Sequence, residues 1–424
     1  MKNTIKMSLA AAVAVSALTT SASAGNLEEM IKGVTASGKI DIEYTNDSND
    51  KGMAVNNNTA NSVNYDFDIT FKVPVNDNVT ATIGAEADHG VDVEAAQNTR
   101  GQAQANDLNL TVANFTYANG PVTAIVGKQN VGTPFLYDQK GDGIVALYNA
   151  GPVTLAAAHF VNTNVTIGTL PTTPVGLNNV GLAQGAEDIN AVAAIGSVAG
   201  INLSAWYVTT TLVGGTTTTA LGLAAGAAED ADAYTINANG KIGPVGFDVR
   251  HSSAEVDGSG NWDEEELTKV TLTADVDMFS FAAGYGTTND VMGAGTVQNA
   301  LGGRVHGVSW DDNDTTDTGF NGEQAYLDTL NDADAYLLGV TANMGAYTAG
   351  VTYIDGDADQ NGATAGDVEF DELILSASYA MSKNFTISGY YSMFEVDDSA
   401  NNTANETLGN MENDQLQLNL TYKF

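Results

Sequence analysis

Apolar and polar residues alternate along much of the chain with a period of two. In residues 63–73, Val63 and every second residue after it are apolar, and the residues between them are polar. The last residues, 415–424, alternate in the same way and end on Phe424. Because successive side chains of a β-strand point to opposite faces, this pattern predicts strands with one apolar and one polar face.

Eighteen such segments follow one another, and the connections between them alternate between long and short. The segments lie near residues 35–45, 63–73, 79–88, 108–118, 122–128, 144–149, 153–161, 188–198, 201–211, 232–242, 245–253, 267–276, 279–287, 335–343, 346–354, 370–381, 385–395 and 414–424. Their typical length, about nine to eleven residues, is that of a tilted strand crossing a bilayer. The nine long loops and the eight short turns therefore fall on opposite rims of the predicted sheet, with both chain ends on the short-turn rim.

An even number of strands with short turns on one rim and long loops on the other is typical of a bacterial outer-membrane β-barrel. A soluble β-sandwich would not sort its loops by length in this way. The nonapeptide repeat of a calcium-binding β-solenoid is missing from the sequence. We therefore predict an all-β fold, a single transmembrane antiparallel up-and-down β-barrel of about 18 strands around a water-filled pore, since side chains cannot fill so wide a barrel.

Composition narrows the range of possible functions. The chain has 15 lysine and arginine residues against 52 aspartate and glutamate residues, which excludes a nucleic-acid binder because that partner needs a basic face. It has no cysteine, which excludes thiolate chemistry, zinc–thiolate sites and disulfide scaffolds. After residue 24, no apolar run approaches the length of a transmembrane helix.

Residues 1–24 have the features of a secretory signal peptide. Lys2 and Lys6 give a positive start, residues 7–18 form an apolar core, and small residues at 22–24 form a cleavage site. We expect this segment to be removed on export, so that residues 25–424 form one barrel domain outside the cytoplasm.

Three stretches resemble the major outer membrane porins of Campylobacter and related epsilon-class proteobacteria. They are LEEMIKGVTASGKIDIEY (27–44), AIVGKQNVGTPF (124–135) followed by GPVTLAAAHFV (151–161), and the terminal QLQLNLTYKF (415–424). The resemblance implies a homotrimeric general-diffusion porin among the lipid and lipopolysaccharide of the outer membrane. It also implies a third long loop folded inward to narrow the pore, and a chain end that the barrel-assembly machinery reads.

Two segments fit what the resemblance implies. The third long loop contains an apolar and aromatic run, which suits packing against an inner wall better than exposure to water. We predict that this part of the loop constricts the pore through Pro134, Phe135, Leu136, Tyr137 and Asp138. Tyr422 and Phe424 share the apolar face of the last segment and should meet lipid near the short-turn rim. This last strand should close the barrel by pairing with residues 35–44, because lipid offers an open strand edge no hydrogen-bond partners.

The polar faces of the predicted strands should point into the lumen. By this rule the charged lining residues are Lys39, Asp41, Glu43, Asp66, Asp68, Lys72, Glu86, Asp88, Asp248, Arg250, Lys269, Asp275 and Glu372. Each one alone is also compatible with an ordinary solvated side chain. Together the excess of acids favours cations, since a water-filled tube with a low-dielectric wall focuses the field of its charges.

Residues 355–369 partly match a calcium-binding EF-hand loop. Asp357, Asp359 and Asn361 occupy positions 1, 3 and 5 of that motif, but Glu369 comes one residue too late for the bidentate ligand. The partial match suggests a weak calcium site, but we favour the alternative, an acidic surface loop without a metal, because the bidentate ligand is out of register. We expect that no cofactor is required.

The histidines offer no arrangement for catalysis. His159 and His251 fall on the apolar face near strand ends, where an amphipathic ring suits a membrane interface, while His89 and His306 fall in predicted loops. The neighbouring His251 and Ser252 point to opposite faces of their strand, so they cannot act as base and nucleophile. We therefore predict that the protein is not an enzyme.

The sequence thus predicts an outer-membrane porin that passes ions and small hydrophilic solutes by passive diffusion and prefers cations. Two alternatives stay open. A structural or adhesive barrel would bind surfaces through its loops. A substrate-specific channel would need a ladder of basic or aromatic side chains along one wall, and the three arginines of the chain are too few for an anion-specific ladder.

Overall fold

The structure is a computed structural model, and it describes residues 33–51, 59–92, 108–133, 140–163, 188–213, 228–256, 265–288, 330–360, 367–398 and 411–424. The predicted signal peptide lies outside these residues. The strands are β1 (Thr35–Lys51), β2 (Thr59–Asn76), β3 (Val79–Asp92), β4 (Asn109–Asn119), β5 (Val122–Asn130), β6 (Lys140–Asn149), β7 (Val153–Thr163), β8 (Ile189–Val198), β9 (Ile201–Val213), β10 (Ala228–Ile242), β11 (Val245–Val256), β12 (Glu265–Val276), β13 (Phe279–Thr288), β14 (Leu330–Met344), β15 (Tyr347–Gln360), β16 (Asp367–Ala380), β17 (Phe385–Asp398) and β18 (Met411–Lys423). The described residues contain no helix long and apolar enough to span a membrane.

Each strand pairs antiparallel with its neighbours in sequence, and β18 pairs with β1, so the sheet closes on itself. This confirms the predicted 18-stranded barrel. Pairing between β1 and β18 begins near the short-turn rim, where Lys39 lies opposite Lys423, and continues to Lys51, opposite Glu412. Every strand in the described part of the barrel therefore has a paired neighbour on both sides, as lipid requires.

The short turns have the backbone conformation that a tight hairpin needs. Between β8 and β9, Ala199 has a φ of 54° and Gly200 a φ of 83°. Positive φ at both central residues matches the right-handed twist of the flanking strands, which is why two residues suffice to reverse the chain. The pleat therefore continues from one strand to the next without a break in register.

The strands extend further toward the long-loop rim than the sequence predicts. The first segment was expected near residues 35–45, whereas β1 continues to Lys51, and the segment expected near 144–149 begins at Lys140. Residues 45–51 are TNDSNDK, which is polar on both faces. Beyond the apolar zone of the membrane, backbone pairing continues while the alternation of side chains ends, so the sequence gives no signal there.

The outer face of the barrel is apolar and carries aromatic rings at two levels. Near the short-turn rim, the rings of Tyr347 and Tyr379 stack at 4.5 Å, and those of Tyr422 and Phe424 lie 6.1 Å apart. Further from that rim there is a second level of aromatic side chains, which includes Tyr285 and Tyr336 at 5.1 Å. Leu418, Leu420, Tyr422 and Phe424 are each 39–47% exposed. Two aromatic girdles that flank an exposed apolar band are typical of a barrel that spans a membrane.

At the second level, tyrosine hydroxyls donate to carboxylates of the next strand. Tyr207 donates to Asp232 at 2.7 Å and Tyr391 to Asp414 at 2.8 Å. In both pairs the acid lies two residues beyond the tyrosine's cross-strand partner, toward the long-loop rim. Each tyrosine ring therefore ends at a charged group, which marks the outer limit of the apolar band.

The final residue closes the seam between β1 and β18. The backbone N–H of Phe424 donates to Gly38 at 3.0 Å, and the N–H of Gly38 donates back to Phe424 at 3.1 Å. A Cβ at Gly38 would lie 2.3 Å from the carbonyl oxygen of Asp68 and 2.5 Å from the Phe424 ring. Residue 38 must therefore be glycine for the terminal ring to lie against the seam.

We predict that Gly38→Val destabilises the folded barrel by about 2 kcal/mol, since the side chain has to displace backbone. Purified protein refolded in detergent should lose its folded electrophoretic band at a lower temperature than the parent. Ala36→Val, at an exposed position on the same face of β1, is the matched control and should leave that temperature unchanged. Equal melting of the two variants would contradict the close packing at the seam.

Candidate functional site: the charged inner wall

The inner face of β1–β3 is polar, whereas the outer face is apolar. Asp41 lies opposite Asp66 and Glu43 lies opposite Asn64, on the face away from the exposed Ile40. In a membrane barrel the apolar face meets lipid and the polar face meets the lumen. These carboxylates therefore point inward, because the pleat sends every second residue to the same side.

Lys39 pairs with two of these carboxylates. Its Nζ lies 2.7 Å from Asp66 and 3.6 Å from Asp41, and the Lys39, Asp66 and Asp41 side chains are 34%, 30% and 24% exposed. The ion pairs are thus in contact with water, which screens them and keeps their contribution to stability small. Their main effect is to fix where the charges lie.

Three carboxylates converge beside this lysine. Oxygen atoms of Asp66, Asp68 and Glu86 lie within 4.8 Å of one another, and all three side chains are half-buried. This spacing allows them to act together on one cation in the lumen. The sequence predicts that each lies on the polar face, but the convergence depends on the register of β2 against β3, which places Asp68 opposite Glu86.

The remaining acids of this wall are held by hydrogen bonds from β18 and β2. Thr421 donates to Asp41 at 3.0 Å. The amide groups of Asn64 and Gln417 donate to the two oxygens of Glu43 at 3.1 and 2.9 Å. The closing strand therefore orients the charges of the first strand as well as sealing the barrel. In the described residues, β1–β3 thus carry a carboxylate wall, which consists of Asp41, Glu43, Asp66, Asp68 and Glu86.

Two other predicted lining residues lie on the same strands. Lys72 is exposed on the inner face of β2, nearer the short-turn rim. Asp88 of β3 lies opposite Asp66 of β2, but its side chain is not among those that the structure describes.

A second group of predicted residues lies on β11 and β12, about half-way around the closed sheet from β2. Arg250 lies directly opposite Lys269, and both point to the inner face. Lys269 is only 5% exposed. Asp248 accepts a hydrogen bond at 2.9 Å from the amide of Asn237. This wall therefore combines two bases with one acid at the same level.

Asp275 and Glu372 have opposite surroundings. Asp275 is near the short turn, where Lys241 and Ser280 donate to it at 3.1 and 2.8 Å, and its side chain is 59% exposed. Glu372 lies on the inner face of β16, but it is fully buried and accepts a hydrogen bond from the Ser392 hydroxyl. The neighbouring Ile354 is 1% exposed, so Glu372 sits among apolar side chains on the inner wall.

A closed barrel with an apolar exterior and a charged inner wall is also the architecture that comparison with known proteins indicates. The sequence matches the family described as Campylobacter major outer membrane protein over residues 1–424. The chain belongs to this family. The resemblance found in the sequence is thereby confirmed, and the protein is an outer-membrane β-barrel of the porin type. Its family and fold point to a channel rather than an enzyme.

Solved structures with the same architecture come from outer-membrane porins. Pseudomonas aeruginosa OpdQ has a TM-score of 0.61 at 14% identity, over 92% of this chain and 99% of that one. A BenF-like porin from Pseudomonas fluorescens Pf-5 has a TM-score of 0.64 at 14% identity, over 93% and 99%. Pseudomonas aeruginosa OpdK with vanillate has a TM-score of 0.60 at 12% identity, over 92% and 98%. At these identities the likeness shows the fold alone, and no curated protein matches the sequence.

The predicted constriction residues 134–138 lie outside the described residues, but the loop's first residues are described. β5 ends at Asn130, and Val131 and Thr133 after it are each 4% exposed. The third long loop thus starts from a buried position. Gln129 at the end of β5 is also buried, at 6% exposed.

The predicted calcium ligands fall largely on strands instead of in a loop. Asp357 and Asp359 belong to β15 and Glu369 to β16, where Glu369 lies opposite Asp357. Asn361 is outside the described residues. The strands thus extend into the segment that was expected to be a loop, to Gln360 on one side and from Asp367 on the other, because polar strand ends continue the pairing. The calcium site stays a prediction.

Two of the histidines lie on the outer face, as the apolar phase of their strands indicates. Nδ1 of His159 lies 2.9 Å from the Asn190 side-chain oxygen on the neighbouring strand. His251 lies between Tyr234 and Thr268, at 3.4 and 3.0 Å. Both rings are thus engaged with neighbours on the lipid side, away from the charged inner wall.

Proposed function

We propose that this protein is a passive porin for ions and small hydrophilic solutes, that it prefers cations, and that it needs no cofactor. The observation that carries this proposal is the carboxylate wall of β1–β3, in which five acids lie on three adjacent strands and Lys39 pairs with two of them. Several of these acids are partly exposed to the lumen, so they can act on passing ions.

The physical basis is the field inside a narrow aqueous tube. Charges on a low-dielectric wall keep their field lines within the water, which raises the local concentration of counterions. Grouped Asp and Glu side chains therefore favour cations over anions. The mechanism requires no chemical step, because the channel only lowers the free energy of cations along the wall.

The first prediction concerns ion selectivity. In a planar bilayer with a KCl gradient, the reversal potential should show that K⁺ passes more easily than Cl⁻. The preference should weaken as salt rises, because the Debye length falls from about 10 Å at 0.1 M to about 3 Å at 1 M. Equal permeability of the two ions at low salt would contradict cation preference.

A single matched pair of variants sharpens this measurement. Lys39→Gln removes the base that faces Asp66 and Asp41, so the K⁺ preference should increase. Lys383→Gln removes the same charge from an exposed short turn outside the strands, so its reversal potential should equal that of the parent. Equal shifts in both variants would indicate an effect of overall charge instead of the wall.

We further propose that the third long loop narrows the pore through residues Pro134 to Asp138. The buried start of this loop at Val131 and Thr133 supports an inward path. Phe135, Leu136 and Tyr137 form an apolar and aromatic run, which suits packing against an inner wall better than exposure to water.

Deletion of residues 132–139 should therefore raise single-channel conductance without unfolding the barrel, since β5 ends at Asn130 and β6 begins at Lys140. The conductance is measured on purified protein in planar bilayers, and circular dichroism checks the strand content. An unchanged conductance with an intact barrel would mean that the loop does not line the pore.

We also propose that Tyr422 and Phe424 serve as a signal for the barrel-assembly machinery. Both rings lie exposed at the end of the closing strand, where a partner could reach them before the seam forms. This role differs from packing, because it acts only in cells.

Phe424→Asp should accordingly reduce the amount of protein assembled in the outer membrane, while the purified variant still folds in detergent. Met381→Asp, at an exposed apolar residue of the neighbouring short turn, is the control and should assemble normally. Membrane fractions are compared by quantitative immunoblotting. Normal assembly of Phe424→Asp would leave Phe424 with a packing role only.

The partners implied by the family are a homotrimer of this chain and the surrounding lipid and lipopolysaccharide, after removal of residues 1–24 on export. The mass of the detergent-solubilised protein tests the trimer, and the N-terminal sequence of the mature chain tests the cleavage site. The alternative is an adhesive or structural barrel. Purified protein that folds but leaves planar bilayers silent would favour this alternative.

A further inference from the structure

The inner wall of the barrel is covered along most of its circumference at mid-height. Each strand has an inward residue about eight positions from the short-turn rim. From β7 to β17, the described inward residues at this level are nearly inaccessible, with exposures of 0–5% for Phe160, Val208, Thr235, Lys269, Ile354 and Glu372. This side of the lumen is therefore not lined by water at that level.

These exposures limit what the wall can present to a passing ion. An inward side chain of a single sheet has neighbours on the adjoining strands, and its tip points into the lumen. Phe160 at 0% exposure and Ile354 at 1% nevertheless present almost no surface to water. At this level, this side of the barrel is therefore a covered wall.

The wall formed by β18, β1, β2 and β3 differs. Here the inward residues at the same level keep part of their surface: the Asp41 side chain is 24% exposed, and Thr70, Glu86 and Gln417 are only half-buried. Asp66, four residues from Thr70 toward the long-loop rim, has a side chain that is 30% exposed. The accessible arc at mid-height thus coincides with the carboxylate wall.

We propose that the water-filled route is eccentric, running along the β18–β3 wall, and that the carboxylate wall alone determines its ion specificity. This inference rests on the proposed porin function and narrows it. Lys269 and Glu372 lie on the covered side, so they are screened from the passing ions. Arg250 lies beside Lys269 on that side, across the barrel from the route.

The covered side explains how two bases in the lumen are compatible with cation preference. If Arg250 and Lys269 bordered the same water as Asp66 and Asp68, they would offset part of the acidic field. Charges separated by more than a Debye length of water, about 10 Å at 0.1 M, are largely screened from one another. An ion that passes along the wall formed by β18, β1, β2 and β3 therefore responds to the acids of the carboxylate wall.

Thiol accessibility tests the route directly, since the chain has no cysteine. Thr70→Cys and Gln417→Cys place a thiol on the accessible wall, and Ser252→Cys and Ser392→Cys place one at the same level on the covered wall. Folded, purified protein is treated with a small cationic methanethiosulfonate reagent, and mass spectrometry follows modification. We expect the first two thiols to react at least ten times faster than the second two, which is on the order of 1.4 kcal/mol in accessibility.

Conductance provides the second readout. The same reagent added to open channels should reduce the current of Thr70→Cys and Gln417→Cys and leave that of Ser252→Cys and Ser392→Cys unchanged. In denaturing detergent all four thiols should react equally, which shows that the differences come from the fold. Equal rates in the folded protein would overturn the eccentric route, as would faster reaction on the covered wall. Because labelling does not require current, a silent bilayer would count against the porin function and not against the route.

Discussion

In the hydrocarbon of a bilayer a backbone amide finds no water, so each strand of a membrane sheet needs a partner on both edges. This constraint organises the whole molecule. It requires β18 to pair with β1, and the pairing runs from the Lys39–Lys423 pair to the far ends of both strands. At the seam, Gly38 and Phe424 exchange two hydrogen bonds, and the absence of a side chain at Gly38 makes room for the terminal ring.

Closure also decides where the charges lie. Once the register of β1 against β18 and β2 is set, Asp41 and Glu43 must face inward beside Asp66, and Thr421 and Gln417 of the closing strand orient them. The same pairings thus seal the barrel against lipid and build the carboxylate wall. The stability of the barrel and the placement of its inner charges therefore depend on the same hydrogen-bonded strands.

The sequence predicts the number of strands, their order and the closing pair, because the apolar zone of a membrane imposes strict alternation on residues such as those of 63–73. It also places Lys39, Asp66 and Glu86 on the polar face of their strands. It misses the ends of the strands, because the polar residues 45–51 carry no alternation although they continue the pairing with β18. The alternation of apolar and polar residues reflects the different surroundings of the two faces of a strand. It ends where the strand leaves the apolar zone of the membrane.

The alternation along each strand also does not predict which of the inward side chains are accessible to water. Glu372 and Asp66 have the same phase in their strands, yet Glu372 is fully buried and the Asp66 side chain is 30% exposed. The difference arises from what covers each part of the wall, which depends on contacts between residues far apart in sequence. The convergence of Asp66, Asp68 and Glu86 is of the same kind, since it depends on the register between strands.

The most direct test of this account is the reversal potential of a channel whose wall is neutral. In a variant with Asp41→Asn, Asp66→Asn, Asp68→Asn and Glu86→Gln, the potential in a low-salt KCl gradient should fall close to zero. Glu372→Gln, on the covered side, serves as the comparison and should keep the K⁺ preference of the parent. A neutral-wall channel that still prefers K⁺ as strongly as the parent would contradict the claim that these carboxylates set the selectivity.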